Sequence, residues 1–221
     1  MELNGALFSQ GFTWVFGAIY AFSLFTAVRL APWRRLMEHG RIHVFLGAVV
    51  CLILLWHMRA DVNPGLSFHL LGVTAVTLMF GWSLAVIASS LALVGVAINA
   101  GGGWDAFVIN AVTTGVLPAT LSQVMLVLIR HFLPKQFFVY VLVNGFLTAG
   151  FVGIVSGYLA TWLLIWSGAY TYAELDQTFL PFFPLMFLPE AMLNGWIMAA
   201  MVAFRPEWVR SFSDEQYLNG K

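Results

Sequence analysis

His57 and His69 are separated by eleven residues, with Asp61 on the short segment between them and Met58 beside His57. Imidazole, carboxylate and thioether together can hold a transition-metal ion. Imidazole suits nickel, copper and zinc, and thioether leans toward copper(I). The spacing alone is a weak signal, and the competing reading is two wetted histidines at helix ends. Glu190 lies about ten residues into the last apolar run, in Phe187-Leu-Pro-Glu-Ala-Met-Leu-Asn194-Gly195, and Pro189 frees backbone carbonyls nearby. A carboxyl there is part of an ion path or a helix-to-helix lock. Alternatively it is a protonated structural acid bonded to Asn194 or to another helix. Asn110, Thr113, Thr114 and Leu117 share one helical face. Such polar faces glue membrane helices together or border a pathway.

The remaining chemistry-bearing residues point elsewhere. His39, His43 and His131 sit beside arginines and read as solvated or headgroup-facing. The single Cys51 excludes an intrachain disulfide and a CxxC redox motif. Ala100-Gly-Gly-Gly-Trp104 is not a P-loop, since no Lys-Ser or Lys-Thr follows it, so the chain carries no ATPase of its own. No nucleophile–base pair or multi-carboxylate site stands out, so the chain is not read as an enzyme. Gly145, Ala149, Gly153 and Gly157 place small residues every four positions, a face for close helix approach.

The elements that position these residues follow from composition. Of 221 residues, 61% are hydrophobic and 9% charged, against ~25% charged in soluble domains. So few charges cannot cover a water-soluble globule of this size. The formal net charge is zero and no basic tail exists, so no footprint for nucleic acid is present. The apolar runs are long and unbroken, which favours helical spans over alternating barrel strands. They run over 7–30, 42–58, 66–100, 107–132, 137–168 and 180–204. The 66–100 run would make a helix of about 50 Å, too long for a ~30 Å hydrocarbon core. Splitting it at Gly81-Trp82-Ser83 yields spans over Ser67–Phe80 and Trp82–Ile98, and seven spans in all.

Charge supports that number. With seven spans and the N-terminus outside, nine of the ten basic residues fall on the cytoplasmic side and only Arg59 falls outside. The outer face then carries Glu2, Asp61, Asp105, Glu174 and Asp176. The fold class expected is an all-α polytopic membrane protein of about seven transmembrane helices. Residues 1–221 form a single transmembrane domain in the lipid bilayer, with the C-terminus cytoplasmic.

Three ordered segments resemble one family. Ser67-Phe-His-Leu-Leu-Gly72, followed by Gly81-Trp82, is similar to the S-x-H-L-x-G…G-P-W stretch of the CbiM/NikM-type permeases. These are the substrate-binding membrane subunits of energy-coupling-factor cobalt and nickel importers. Asn110-Ala-Val-Thr-Thr-Gly115-Val-Leu-Pro118 resembles their N-x-x-x-x-G-x-x-x-P segment, one residue shorter between Gly and Pro. Pro189-Glu190 through Phe204-Arg205-Pro206-Glu207 resembles their last helix and its R-P-E end.

The resemblance covers roughly residues 60–210. It implies a seven-helix bundle whose outer N-terminus enters the site, in a bacterial inner membrane. It also implies separate coupling and ATPase subunits, and a cobalt or nickel cation as cargo rather than a covalently bound cofactor. The family's ligands are the N-terminal Met amine, the histidine that follows it, and the histidine of S-x-H. Of these His69 carries over. Glu2 stands where the family has histidine, so it offers an oxygen and shifts the metal preference, copper or zinc included. The expected ligand set is His69 with His57, Asp61 or Glu2 assisting. The alternative is a membrane scaffold or assembly subunit that kept the fold and lost the metal site.

Overall fold

A computed structural model describes residues 2–63, 66–101 and 103–217. Away from water, a helix satisfies its backbone N–H and C=O groups within one segment, so the apolar runs become helices. In chain order these are α1 (Gln10–Leu30), α2 (Trp33–Met37), α3 (Arg41–His57), α4 (Val73–Phe80) and α5 (Trp82–Ala100). Then come α6 (Trp104–Phe132), α7 (Phe137–Trp166), α8 (Tyr172–Thr178) and α9 (Phe183–Phe204). α6 and α7 each include a π-helical stretch, at Ala111–Val116 and Tyr140–Leu147. Among the described residues, five stretches are long and apolar enough to cross a membrane: α1, α5, α6, α7 and Tyr172–Phe204. α3 is a shorter apolar helix.

Large side chains face outward along these helices, among them Trp14, Phe22, Phe138, Trp162, Trp196 and Phe204. Soluble monomers rarely expose so large an apolar belt. The protein is a multi-pass helical membrane protein.

The stretch 66–80 departs from the helix expected over Ser67–Phe80. It begins as a strand and becomes helical only at Val73. Strands β1 (Glu2–Leu3), β2 (Ala60–Asn63) and β3 (Leu66–Phe68) form a small antiparallel sheet in the order β1-β3-β2. Glu2 and Asp61 both pair with Ser67, from opposite sides. This sheet is an addition to the all-helical reading. Gly72 (φ 67°) and Gly81 (φ 88°) bracket α4. Both lie where L side chains are disfavoured, so each turns the chain sharply at little steric cost. The break expected at Gly81-Trp82 is present.

α4 is the centre of the molecule. All eight of its residues are buried, and it packs against α5, α6, α7 and α9. The small-residue face of α7 is where α9 approaches. A Cβ added at Gly145 would lie 3.3 Å from Cα of Gly195, and one at Gly153 would lie 3.5 Å from Cγ of Glu190.

The two ends of the bundle differ in charge. Arg35, Arg41 and Arg210 gather near the Gly81 turn, and Arg130 bonds to Ser211 beside them. At the opposite end stand the three-stranded sheet, the His57–Asn99 contact, and Asp105 packed against Gly5.

Candidate metal centre

His69 follows β3 directly, on the segment that descends into the bundle. Its side chain is 6% exposed. Trp56 on α3 lies beside the imidazole, with ring centroids 5.6 Å apart. The Trp56 indole N–H donates to the Leu71 carbonyl at 3.0 Å, so one aromatic residue holds both the imidazole and the backbone that follows it. His69 Nδ1 sits 3.0 Å from the Leu70 carbonyl. When Nδ1 carries the proton it donates to that oxygen, and Nε2 then presents the lone pair, which is how outer partners orient a ligating imidazole.

Glu190 fixes the backbone just beyond His69. Its carboxyl accepts from Leu71 N–H at 2.6 Å, from Gly72 N–H at 2.9 Å and from the Asn194 amide at 2.7 Å. The Asn194 side-chain oxygen accepts from Ala75 N–H at 2.8 Å, and its amide also reaches the Glu190 carbonyl. The first backbone N–H groups of a helix have no partner within it. Here two side chains one turn apart on α9 supply those partners to α4. Glu190 accepts in all three bonds, so none needs a proton on the carboxyl.

Asn110 does the same for the chain's beginning. Its amide donates to the Leu3 carbonyl and its oxygen accepts from Leu3 N–H, both at 2.9 Å. Leu3 is buried, so this pair secures β1 inside the bundle. The polar face expected on this helix is present: Thr113 and Thr114 are buried and bond back to Ile109 and Asn110 carbonyls.

His57 is exposed. Its Nδ1 lies 3.0 Å from the Ile53 carbonyl and its Nε2 meets the Asn99 amide. The side chains of Glu2 and Asp61, and all of Met1, lie outside the described residues. Their backbone register places Glu2 and Asp61 on either side of Ser67, two residues before His69. Among the described residues no group of three His, Cys, Asp or Glu side chains converges.

Residues missed in the sequence were Trp56 and Asn99. Trp56 carried a signal of a kind, since it adjoins His57, but an indole ahead of a histidine has many uses. Asn99 had no signal beyond its polarity near a helix end.

Outward apolar side chains, a short buried helix at the centre of the bundle and a buried imidazole just after a strand define the class: a polytopic helical membrane protein. The family model described as the cobalt uptake substrate-specific transmembrane region (CbiM) matches residues 3–208, and the chain belongs to that family. It is thus a membrane component of metal uptake. A crystal structure of a transition metal transporter shares the fold, with a TM-score of 0.69 and 15% identity over 94% of this chain and 93% of that one. No curated protein matches.

Proposed function

We propose that this protein is the substrate-binding membrane subunit for import of a divalent transition-metal cation, working with separate coupling and ATPase subunits. His69 is the principal ligand. Glu2 and Asp61 are the oxygen donors, and His57 assists at the rim. The observation that carries the reading is the buried His69 held between Trp56 and the Glu190-capped backbone. The two acidic residues in register with Ser67 support it. A nitrogen and oxygen donor set accepts cobalt, nickel and zinc, with copper as competitor. Cobalt is the first candidate, on the family description.

The seven-span arrangement, with the N-terminus outside and the C-terminus cytoplasmic in a bacterial inner membrane, belongs to the same proposal. Residues 66–80 run from the strand beside the sheet, through His69 and Gly72, to the end of α4 at the Gly81 turn, and so pass from one end of the bundle to the other. With α1, α3, α5, α6, α7 and α9, this broken segment makes seven crossings. The basic end then faces the cytoplasm.

The test is metal titration of the purified full chain with cobalt, nickel, copper and zinc, followed calorimetrically. One metal should bind at a single site, and His69→Ala should weaken it by roughly 100-fold or more. Equal affinity in parent and variant would remove His69 as ligand. No binding in either would favour the scaffold reading, which the exchange of histidine for Glu2 supports.

A further inference from the structure

The end of the bundle opposite His69 holds a second polar region, apart from the proposed cargo ligands. Arg210 forms a wall shared by two adjoining cavities. The larger, about 390 Å³, is lined by Arg130, Arg210, Gln123 and Ser83 together with Leu30 and Trp82. The smaller brings Arg35 and Arg41 to the other side of Arg210. Among the described residues, neither wall carries an aspartate or glutamate. Burial, then the neighbouring charges of Arg41 and Arg210, push the Arg35 guanidinium below its ordinary value, only partly offset by Glu38. Arg210 thus shares one cavity with Arg35 and Arg41 and the other with Arg130, and Glu38 is the acid that acts on Arg35.

Their hydrogen bonds leave capacity over. Arg130 donates to the Ser211 carbonyl and the Tyr217 hydroxyl. Among the described residues, the Arg210 guanidinium donates only to the Phe80 carbonyl, at 3.4 Å, from a group with five N–H donors. The guanidinium fork matches phosphate oxygens in pairs. Leu30, Trp82 and Leu126 supply an apolar border on the same cavity, at the ends of α1 and α5. Basic pockets between membrane helices recognise lipid phosphates in this way.

We propose that the cavity between Arg130 and Arg210, with Arg35 and Arg41 behind it, is a phosphate-binding site, filled by the phosphodiester of an anionic lipid headgroup or by a free phosphate. Arg210 is the central contact, because it alone faces both cavities. The apolar border favours the lipid source.

The experiment follows thermal unfolding of the purified full chain in neutral detergent with three probes: phosphatidylglycerol micelles, phosphatidylcholine micelles, and sodium phosphate against sodium chloride at equal ionic strength. A saturable upward shift with phosphatidylglycerol and none with phosphatidylcholine supports the site and assigns it to lipid. A saturable shift with phosphate alone supports it and assigns the free anion. The paired substitutions Arg35→Gln and Arg210→Gln should raise the half-saturating concentration at least tenfold. Arg130 is left in place because it ties Ser211 to the bundle. Native mass spectrometry of the same samples supplies a second readout, in which the parent should retain more phosphatidylglycerol than the paired variant. Equal shifts with both lipids, no shift in any arm, or unchanged half-saturation and lipid retention in the variant would each overturn the proposal. Cobalt titration is measured alongside, so that loss of the metal site is seen separately.

Discussion

The two ends of α4 face the same physical problem and solve it with opposite chemistry. At its start, the unpartnered N–H groups of Leu71, Gly72 and Ala75 are taken by Glu190 and Asn194. At its finish, the carbonyls of Leu78, Met79 and Phe80 are taken by Ser211, by the Arg210 backbone and by the Arg210 guanidinium. An acid at the N-terminus and an arginine at the C-terminus also match the sense of the helix dipole. Both sets come from one stretch of chain, α9 and its continuation. The difference lies in exposure. Glu190 and Asn194 are buried, whereas Arg210 is exposed and borders a cavity. The end at Gly72 is therefore a closed joint beside the proposed cargo site, and the end at Gly81 is a half-open one beside a cavity.

That contrast predicts an ordering of substitutions. Glu190→Ala should be the most damaging. It strands three buried N–H donors, each worth about 1–3 kcal/mol when unsatisfied, so a loss of about 3–5 kcal/mol is expected in SDS-titration unfolding. Metal affinity should fall with it, because the backbone beyond His69 is released. A loss below 1 kcal/mol would mean that water or another group replaces the carboxyl, and the joint would not be closed.

Asn110→Ala comes next. It leaves the N–H and carbonyl of buried Leu3 without partners, and about 2–3 kcal/mol is expected. The sharper readout is hydrogen exchange at Leu3, which should accelerate strongly while exchange in α4 stays near that of the parent.

Gly81→Ala should be the mildest. Its backbone, at φ 88° and ψ 166°, lies in a region almost reserved for glycine, which costs about 1–2 kcal/mol for alanine. The added Cβ would meet only the end of the Arg210 side chain, 2.7 Å from Nη1, and that flexible end can move away. If Gly81→Ala cost as much as Glu190→Ala in the same titration, the two ends would be equally constrained and the contrast would be lost.

Much of the helical layout was legible in the sequence. The runs over 7–30, 42–58, 107–132, 137–168 and 180–204 reappear as helices with ends shifted by a few residues, since unbroken apolar sequence allows few other structures in lipid. The chain break at Gly81 was legible because a 35-residue helix overruns the bilayer. The strand at Leu66–Phe68 was not. Ser67-Phe-His-Leu-Leu is as apolar as its neighbours, and hydropathy does not separate an extended stretch from a helical one. The roles of Glu190 and Asn110 were legible only as alternatives. Each was marked by the cost of a polar group in a span, but the partner that resolves its role is 107 to 119 residues away.

By itself the sequence determined the solvent. Its shortage of charge and its long apolar runs require lipid. The tertiary structure decided where the backbone stays unwound and what holds it there. An unwound segment inside a membrane exists only where distant side chains take up its N–H and C=O groups. Those pairings depend on which helix faces lie together, and local sequence does not specify that.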